Sequence, residues 1–343
     1  MEGNREIQGR PLMIIDHDTG IPLIGTVAFG LIDRGTNVIQ VRPTSLCPLS
    51  CIFCSTDAGP RSRNRLCEYQ VALDYLVEGF IELVKFKGPR KIEAHIDTVG
   101  DPLTYPHIVD LVQELASVQG VEVVSMQTHG VLLSEKLIDE LEAAGLSRIN
   151  LSIDALDPEL AKQLAGTEAY CLERVLEMAE YIASSRIDLL IAPVWVPGVN
   201  DDEIPKIIEY ALRIGAGKKW PPLGIQKYEA HRHGRKPKGV KPLSWRRFYL
   251  RLREWERKYR VKLILRPEDF GIHKRRKLPV PFKLGERTYV RVAAPGWLKG
   301  EKLGISRGRA ITIVDAGNIP IGTEVRVRII RVRDNIIIAR PCI

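Results

Sequence analysis

From residue 38 the chain alternates between short apolar runs and longer stretches with the 3.6-residue period of amphipathic helices. Runs at 38–42, 91–98, 121–127, 148–154, 188–196 and 223–229 read as strands. Stretches near 69–86, 105–118, 134–144, 157–183 and 202–214 read as helices, with Leu133, Leu137, Leu141 and Ala144 forming one stripe. Ser134 and Asp157 stand where N-caps belong, and Gly145 stands at a helix stop. Tight turns cannot join parallel strands, so this repeat predicts an α/β fold with a parallel sheet and crossover helices. The expected form is a closed or partly closed barrel.

The strands depart from the uniformly apolar texture of a sheet covered on both sides. Gln40 and Arg42; Glu93, His95 and Asp97; Ser125 and Gln127; and Asn150, Ser152 and Asp154 each occupy alternate positions. Alternate residues share a face. The apolar set (Ile92, Ala94, Ile96, Ile149, Leu151, Ile153) is expected to meet the helices, and the polar set to line an interior that receives a polar ligand. Glu93, His95 and Asp97 read equally well as substrate contacts or as a satisfied polar layer.

Four segments follow from the texture: a β extension over 1–37, the alternating core over 38–230, a basic connector over 231–283 and a small all-β unit over 284–343. In the first, Leu12–Ile15 and Thr26–Ile32 read as extended runs, with turns at 16–20 and 33–37. The connector is expected to hold an amphipathic helix over 244–259 and a strand over 260–265. In the last segment, runs at 289–292, 310–314, 324–332 and 335–340 suggest an OB-type barrel.

Charge separates these parts. Residues 231–300 carry 22 Lys or Arg against 5 Asp or Glu, and residues 301–343 carry 8 against 4, within a net charge of +9. The first 230 residues are therefore acidic, and the basic third predicts an anionic partner, nucleic acid first. No run approaches a membrane span. Met1–Arg5 leads into no secretory signal, and six cysteines are too few and too uneven for a disulfide scaffold. A cytoplasmic protein without membrane contact is expected.

Three of those cysteines fall together in Cys47-Pro48-Leu49-Ser50-Cys51-Ile52-Phe53-Cys54, directly after the first strand of the alternating series. Three thiolates from one tight loop suit an iron–sulfur cluster with one iron left open. A zinc site that recruits Cys67 is the alternative, since structural zinc takes four protein ligands; inert buried thiols are another.

The C-x3-C-x2-C loop, with an aromatic residue before the last cysteine, resembles that of the radical S-adenosylmethionine (SAM) superfamily. Val99-Gly100-Asp101-Pro102 is similar to the family's Gly-Gly-Glu-Pro segment, Thr128-His129-Gly130 to its Thr-Asn-Gly turn, and Asn150–Pro158 to its fourth-strand motif. Val196–Asp202 resembles the segment near the adenine. Departures are Val99 for glycine, Asp101 for glutamate and His129 for asparagine. The resemblance implies a partial (β/α)6 TIM-like barrel with a 4Fe-4S cluster on Cys47, Cys51 and Cys54. It implies SAM contacts at Phe53, Gly100, Asp101, Ser152, Asp154 and Asn200. It further implies reductive cleavage of SAM to a 5′-deoxyadenosyl radical, fed by an electron donor such as ferredoxin or flavodoxin. No catalytic residue beyond these is assigned.

Gly308–Val314 and Ile321–Ile329 resemble a TRAM domain, an OB-like RNA-binding barrel attached to RNA-modifying enzymes. Arg326, Arg328, Arg331 and Arg333 would serve phosphates. In the connector, Lys274–Lys277 and Trp245–Tyr249 interleave charge and rings as RNA contacts do, although Trp245, Phe248, Leu252 and Trp255 equally fit a buried helix stripe. The expected substrate is RNA (tRNA or rRNA), with methylation or another radical rearrangement favoured over methylthiolation because residues 1–37 contain no cysteine. A radical SAM enzyme acting on a small metabolite, lipid precursor or protein is the alternative, and a non-enzymatic RNA-binding protein is another. Cys171 and Cys342 read as buried structural thiols rather than methyl carriers.

Overall fold

The computed structural model describes residues 6–342, so Met1–Arg5, read above for a signal, and Ile343 lie outside the described residues. The chain runs β1 (Glu6–Ile7), β2 (Arg10–Ile15), β3 (Gly30–Asp33), β4 (Val38–Arg42), β5 (Glu68–Val71), α1 (Leu73–Lys87), β6 (Ile92–Ile96) and α2 (Ile108–Ser117). It continues through β7 (Val121–Thr128), α3 (Glu135–Ala143), β8 (Arg148–Leu151), α4 (Pro158–Ala165), α5 (Leu172–Ser184), β9 (Asp188–Ile191), β10 (Val194–Trp195), α6 (Glu203–Arg213) and β11 (Gln226–Lys227). After α7 (Trp245–Tyr259) come β12 (Arg287–Pro295), β13 (Lys302–Ser306), β14 (Arg309–Ile313), β15 (Glu324–Arg331) and β16 (Ile338–Pro341).

The alternating core is a partial α/β barrel. One six-stranded sheet has the order β3-β4-β6-β7-β8-β9, parallel from β4 to β9, with β3 antiparallel on the β4 edge. Helices pack outside on the apolar strand face, where Ile92, Ala94, Ile96, Ile149 and Leu151 are buried. The stretch at 157–183 is two helices, because Gly166 takes a left-handed φ of 68° and stops α4.

The sixth parallel strand, expected over 223–229, contracts to a single bridge between Ile191 and Leu223 and to the pair β10–β11. Pro221 and Pro222 precede it and supply no N–H for a ladder. The sheet gains its sixth member from the segment read as an extension. β3 closes the edge, and β2 pairs in parallel with β5. Ile15, Ile21, Phe29 and Leu31 sit in the main core.

α7 forms as expected, and Phe248, Leu252 and Trp255 are its buried stripe, with Trp255 centred 5.0 Å from Trp195. Trp245 at the same spacing is 55% exposed. No strand forms over 260–265: the N–H groups of Leu263 and Ile264 donate to the Glu256 carboxylate, each at 2.8 Å, instead of to a neighbouring strand.

The C-terminal unit is a closed five-stranded barrel, β12-β13-β14-β16-β15, around Val290, Val292, Ile311, Ile313, Val327 and Ile329. The sequence reading found four of these strands. β13 was missed because Lys-Leu-Gly-Ile-Ser reads as a loop, yet Gly304 is what its packing needs: a Cβ there would lie 2.3 Å from Val290 Cγ1.

This barrel is sewn into the core. Ala310 N–H donates to Ile24 O at 2.9 Å and Ile337 N–H to Gly25 O at 2.8 Å. At Gly25, whose φ is +136°, a Cβ would stand 1.8 Å from Ala310 O. On another side, Leu66 N–H donates to Trp297 O at 2.9 Å and Lys299 N–H to Asn64 O at 2.8 Å.

Candidate active site

The cysteine loop leaves the C-terminal end of β4 and is lashed down on several sides. Ser45 N–H bonds to Tyr69 O, and Val71 N–H returns to Pro43 O. Ser50 and Ile52 donate to Ala165 O and Leu164 O, each at 3.0 Å, the free carbonyls at the end of α4. Arg235, from the basic connector, closes the far side. Its N–H donates to Cys54 O at 2.8 Å, its Nε to Cys51 O at 2.7 Å and one terminal nitrogen to Asp57 at 2.8 Å; the other bonds to Ala58 O. Buried Arg65 joins the loop to the segment after β6, bonding Ser45 O, Glu68 and Val99 O.

Cys47, Cys51 and Cys54 border one cavity of about 420 Å³ at the C-terminal ends of the strands. Burial pushes the Cys47 thiol well up, with Asp101 adding to the effect; burial and then Cys47 do the same to Cys51. Such thiols stay protonated until a cationic group binds them. Among the described residues no three His, Cys, Asp or Glu side chains converge on a single-ion position. Cys67 does not border the cavity; its thiol donates to Glu68 O at 3.3 Å, and burial raises its pKa to about 12. A zinc site built from the triplet and Cys67 therefore has no geometry here. Three thiols spread round one cavity, with no fourth cysteine among them, fit a multi-iron cluster bound at three corners.

Phe53, Gly100 and Ser152 also line this cavity. Gly100 packs so close to the cysteine loop that a Cβ would lie 1.9 Å from Leu46 O. Asp101, Asp154 and Asn200, the other expected SAM contacts, are buried beside the cavity and brace the strand ends around it. The Asp101 carboxylate accepts from Thr128 Oγ1 and His129 N–H at 2.9 Å and Leu103 N–H at 3.0 Å, tying the strand ends after β6 and β7 together. Asp154 accepts from Val194 N–H at 2.7 Å, and burial raises its pKa. Asn200 accepts from Val196 N–H and donates to Asp154 O and Val194 O.

The polar strand faces divide by depth. Near the closed end Arg148 bonds Glu93 at 2.6 Å, and Ser125 bridges Glu93 and His95 at 2.7 and 2.8 Å. Burial holds His95 below the usual imidazole range. The layer is hydrogen-bonded except at Arg148 Nη1, which meets no partner among the described residues; the guanidinium lies 4.7 Å from the ring centre of Trp220 and 5.1 Å from that of Phe270. Above it, Arg42 grips Asp97, which lines the cavity with Gln127.

Residues to which the sequence assigns no role complete the wall. Tyr228 is buried, and its hydroxyl meets no partner among the described residues. His129 Nε2 lies 3.7 Å from Cys51 Sγ. Arg235 was absorbed into the general basicity of the connector. Cys171 is exposed at the N-cap of α5 and Cys342 is half-buried, so neither is a buried structural thiol; at Cys171 the buried place goes to Leu172.

The model of the Radical SAM superfamily matches residues 41–211. MJ0103, an uncharacterized protein of Methanocaldococcus jannaschii, is 49% identical over 339 residues, which cover 93% of this chain and 78% of that protein. The GTP 3′,8-cyclase of Peptoclostridium acidaminophilum is 34% identical over 176 residues, 51% of each chain; the chain thus spans about half the length of that cyclase. Among solved structures, Streptococcus suis SuiB bound to precursor peptide SuiA aligns with a TM-score of 0.51 at 16% identity, over 72% of this chain and 49% of SuiB, a likeness of fold.

Proposed function

Because the chain belongs to the radical SAM superfamily, and is thus a SAM-dependent iron–sulfur enzyme, we propose that its substrate is RNA, tRNA foremost, and that the small barrel is a TRAM-like module that holds it. One observation carries this reading. Across three strands of the barrel, Arg287 lies directly opposite Arg328, and Arg328 directly opposite Arg340. Beside them Tyr289, 58% exposed, faces Arg326. Like charges in register repel. Arg340 pairs with Asp315, whereas Arg287, Arg326 and Arg328 have no carboxylate partner among the described residues. A row of unpaired guanidinium groups beside an exposed ring suits phosphates and unstacked bases.

Cys47, Cys51 and Cys54 would hold the cluster, which when bound supplies the electron for reductive cleavage of SAM. The chain's own groups orient and shield. Phe53, the Gly100 backbone and Ser152 would contact SAM, and the Tyr228 hydroxyl has a hydrogen bond to give. Asp101, Asp154 and Asn200 hold the strand-end turns that present those groups. The Glu93–Ser125–His95–Arg148 layer closes the floor of the barrel. Reducing equivalents would come from a ferredoxin or flavodoxin.

Nucleoside mass spectrometry of RNA from cells lacking the protein tests the substrate. One modified nucleoside should vanish and return on complementation; an unchanged profile overturns RNA in favour of a small metabolite, lipid precursor or protein. In vitro, Arg287→Glu with Arg328→Glu should weaken tRNA binding and reduce the slope of log affinity against log salt by about 2.

A further inference from the structure

The barrel's basic face and the cysteine cavity are joined by a second depression. A crevice of about 560 Å³ lies between the core and the small barrel. At one end it shares Ser55, Thr56 and His231 with the cysteine cavity. At the other it shares Ile330 and Arg340 with the groove that contains Arg287 and Arg328. Three hollows that share wall residues thus adjoin in series from the arginine row to the three thiols.

Chemistry changes along the series. At the crevice rim Lys299, Arg331 and Arg232 are exposed and carry no carboxylate partner among the described residues. Deeper lie hydrogen-bonding side chains. Trp297 lies beneath the Arg65 guanidinium, 4.8 Å from its ring centre, and its buried indole N–H meets no acceptor among the described residues. Glu301 accepts from Leu298 N–H at 3.1 Å, and burial raises its pKa to about 7, so near neutrality it retains much of its O–H donor character. Unpaired cations at the rim, where the Asp315 carboxylate is held by Arg340, and hydrogen-bond donors within match a phosphate followed by the polar edge of a base. The volume falls within the range of small-ligand sites.

We infer that this crevice is a nucleotide subsite: a single-stranded stretch of the RNA substrate passes from the arginine row over Lys299 and Arg331, sets a base against Trp297 and Glu301, and so delivers the next nucleotide to the cysteine cavity. This rests on the RNA reading. It also gives the small barrel a second task, since it builds part of the path to the reacting centre.

The test uses the reconstituted holoenzyme with total tRNA. Ultraviolet cross-linking followed by peptide mass spectrometry should recover RNA on the peptide containing Trp297. Lys299→Glu with Arg331→Glu should lower tRNA affinity at fixed salt by about tenfold or more. Both side chains are exposed, so the melting temperature should hold, and Arg253→Glu on α7 should bind as the wild type does. Cross-links confined to the Arg287–Arg328 face, or affinity of the double variant within about twofold of wild type, would overturn the crevice while leaving RNA as substrate. No tRNA binding and no cross-link anywhere would overturn the RNA reading, and the subsite with it.

Discussion

Arg235 grips the cysteine loop from 184 residues beyond Cys51. Bonds made by a charged donor contribute about 1.5–3 kcal/mol each, so removing this side chain should loosen the loop before it unfolds the core. Arg235→Ala should lower iron and sulfide retained after anaerobic reconstitution severalfold, with Arg235→Lys intermediate and far-ultraviolet dichroism unchanged; full retention by the alanine variant would remove the clamp role. Glu301 makes a separate prediction. Its folded pKa of about 7 lies above the ordinary 4.5, so its contribution to stability is complete below pH 4.5 and is lost as pH rises toward 7. Glu301→Gln should flatten the melting temperature over that window. At this scale the triplet was legible because three sulfurs in eight residues have few structural uses. Arg235 and Tyr228 were not, because a lone arginine among many, or one tyrosine, acquires meaning only from what lies beside it.

Elements were read well where periodicity was strong and poorly where a neighbour decided the outcome. β4 and α7 emerged within a residue or two. β13 hid behind Gly304, chosen for the space left by Val290, and the expected strand over 260–265 gave way to the Glu256 carboxylate. The α7 stripe was ambiguous in sequence because the same residues, Phe248, Leu252 and Trp255, serve either a buried face or a nucleic-acid platform; packing on Trp195 decides for the core. Leu252→Ala should therefore cost about 2–5 kcal/mol in urea unfolding, while Trp245→Ala, on the exposed side, should cost little. Equal losses would mean the two faces are not distinct.

At the scale of the molecule, the sequence separates four segments by texture, whereas contacts fuse them. Charge and pattern report composition along the chain, and they carry no sign that Ile24 and Gly25 bond to Ala310 and Ile337. Gly25→Val should force the barrel from its seat: limited proteolysis near 279–286 should accelerate, although the substitution touches no thiol and no arginine. Unchanged proteolysis would mean the seam tolerates a side chain.

That seam also imposes an order on biosynthesis. Residues near position 25 emerge from the ribosome roughly 15–60 s before those that bond to them, at typical elongation rates of about 5–20 residues per second. Until then β3 lacks the cover under which it closes the sheet edge, and the nascent core waits with that flank bare. Slow translation or truncation upstream of β14 should thus leave a species that chaperones retain, whereas a barrel hung on a free tether would have let the catalytic half mature first.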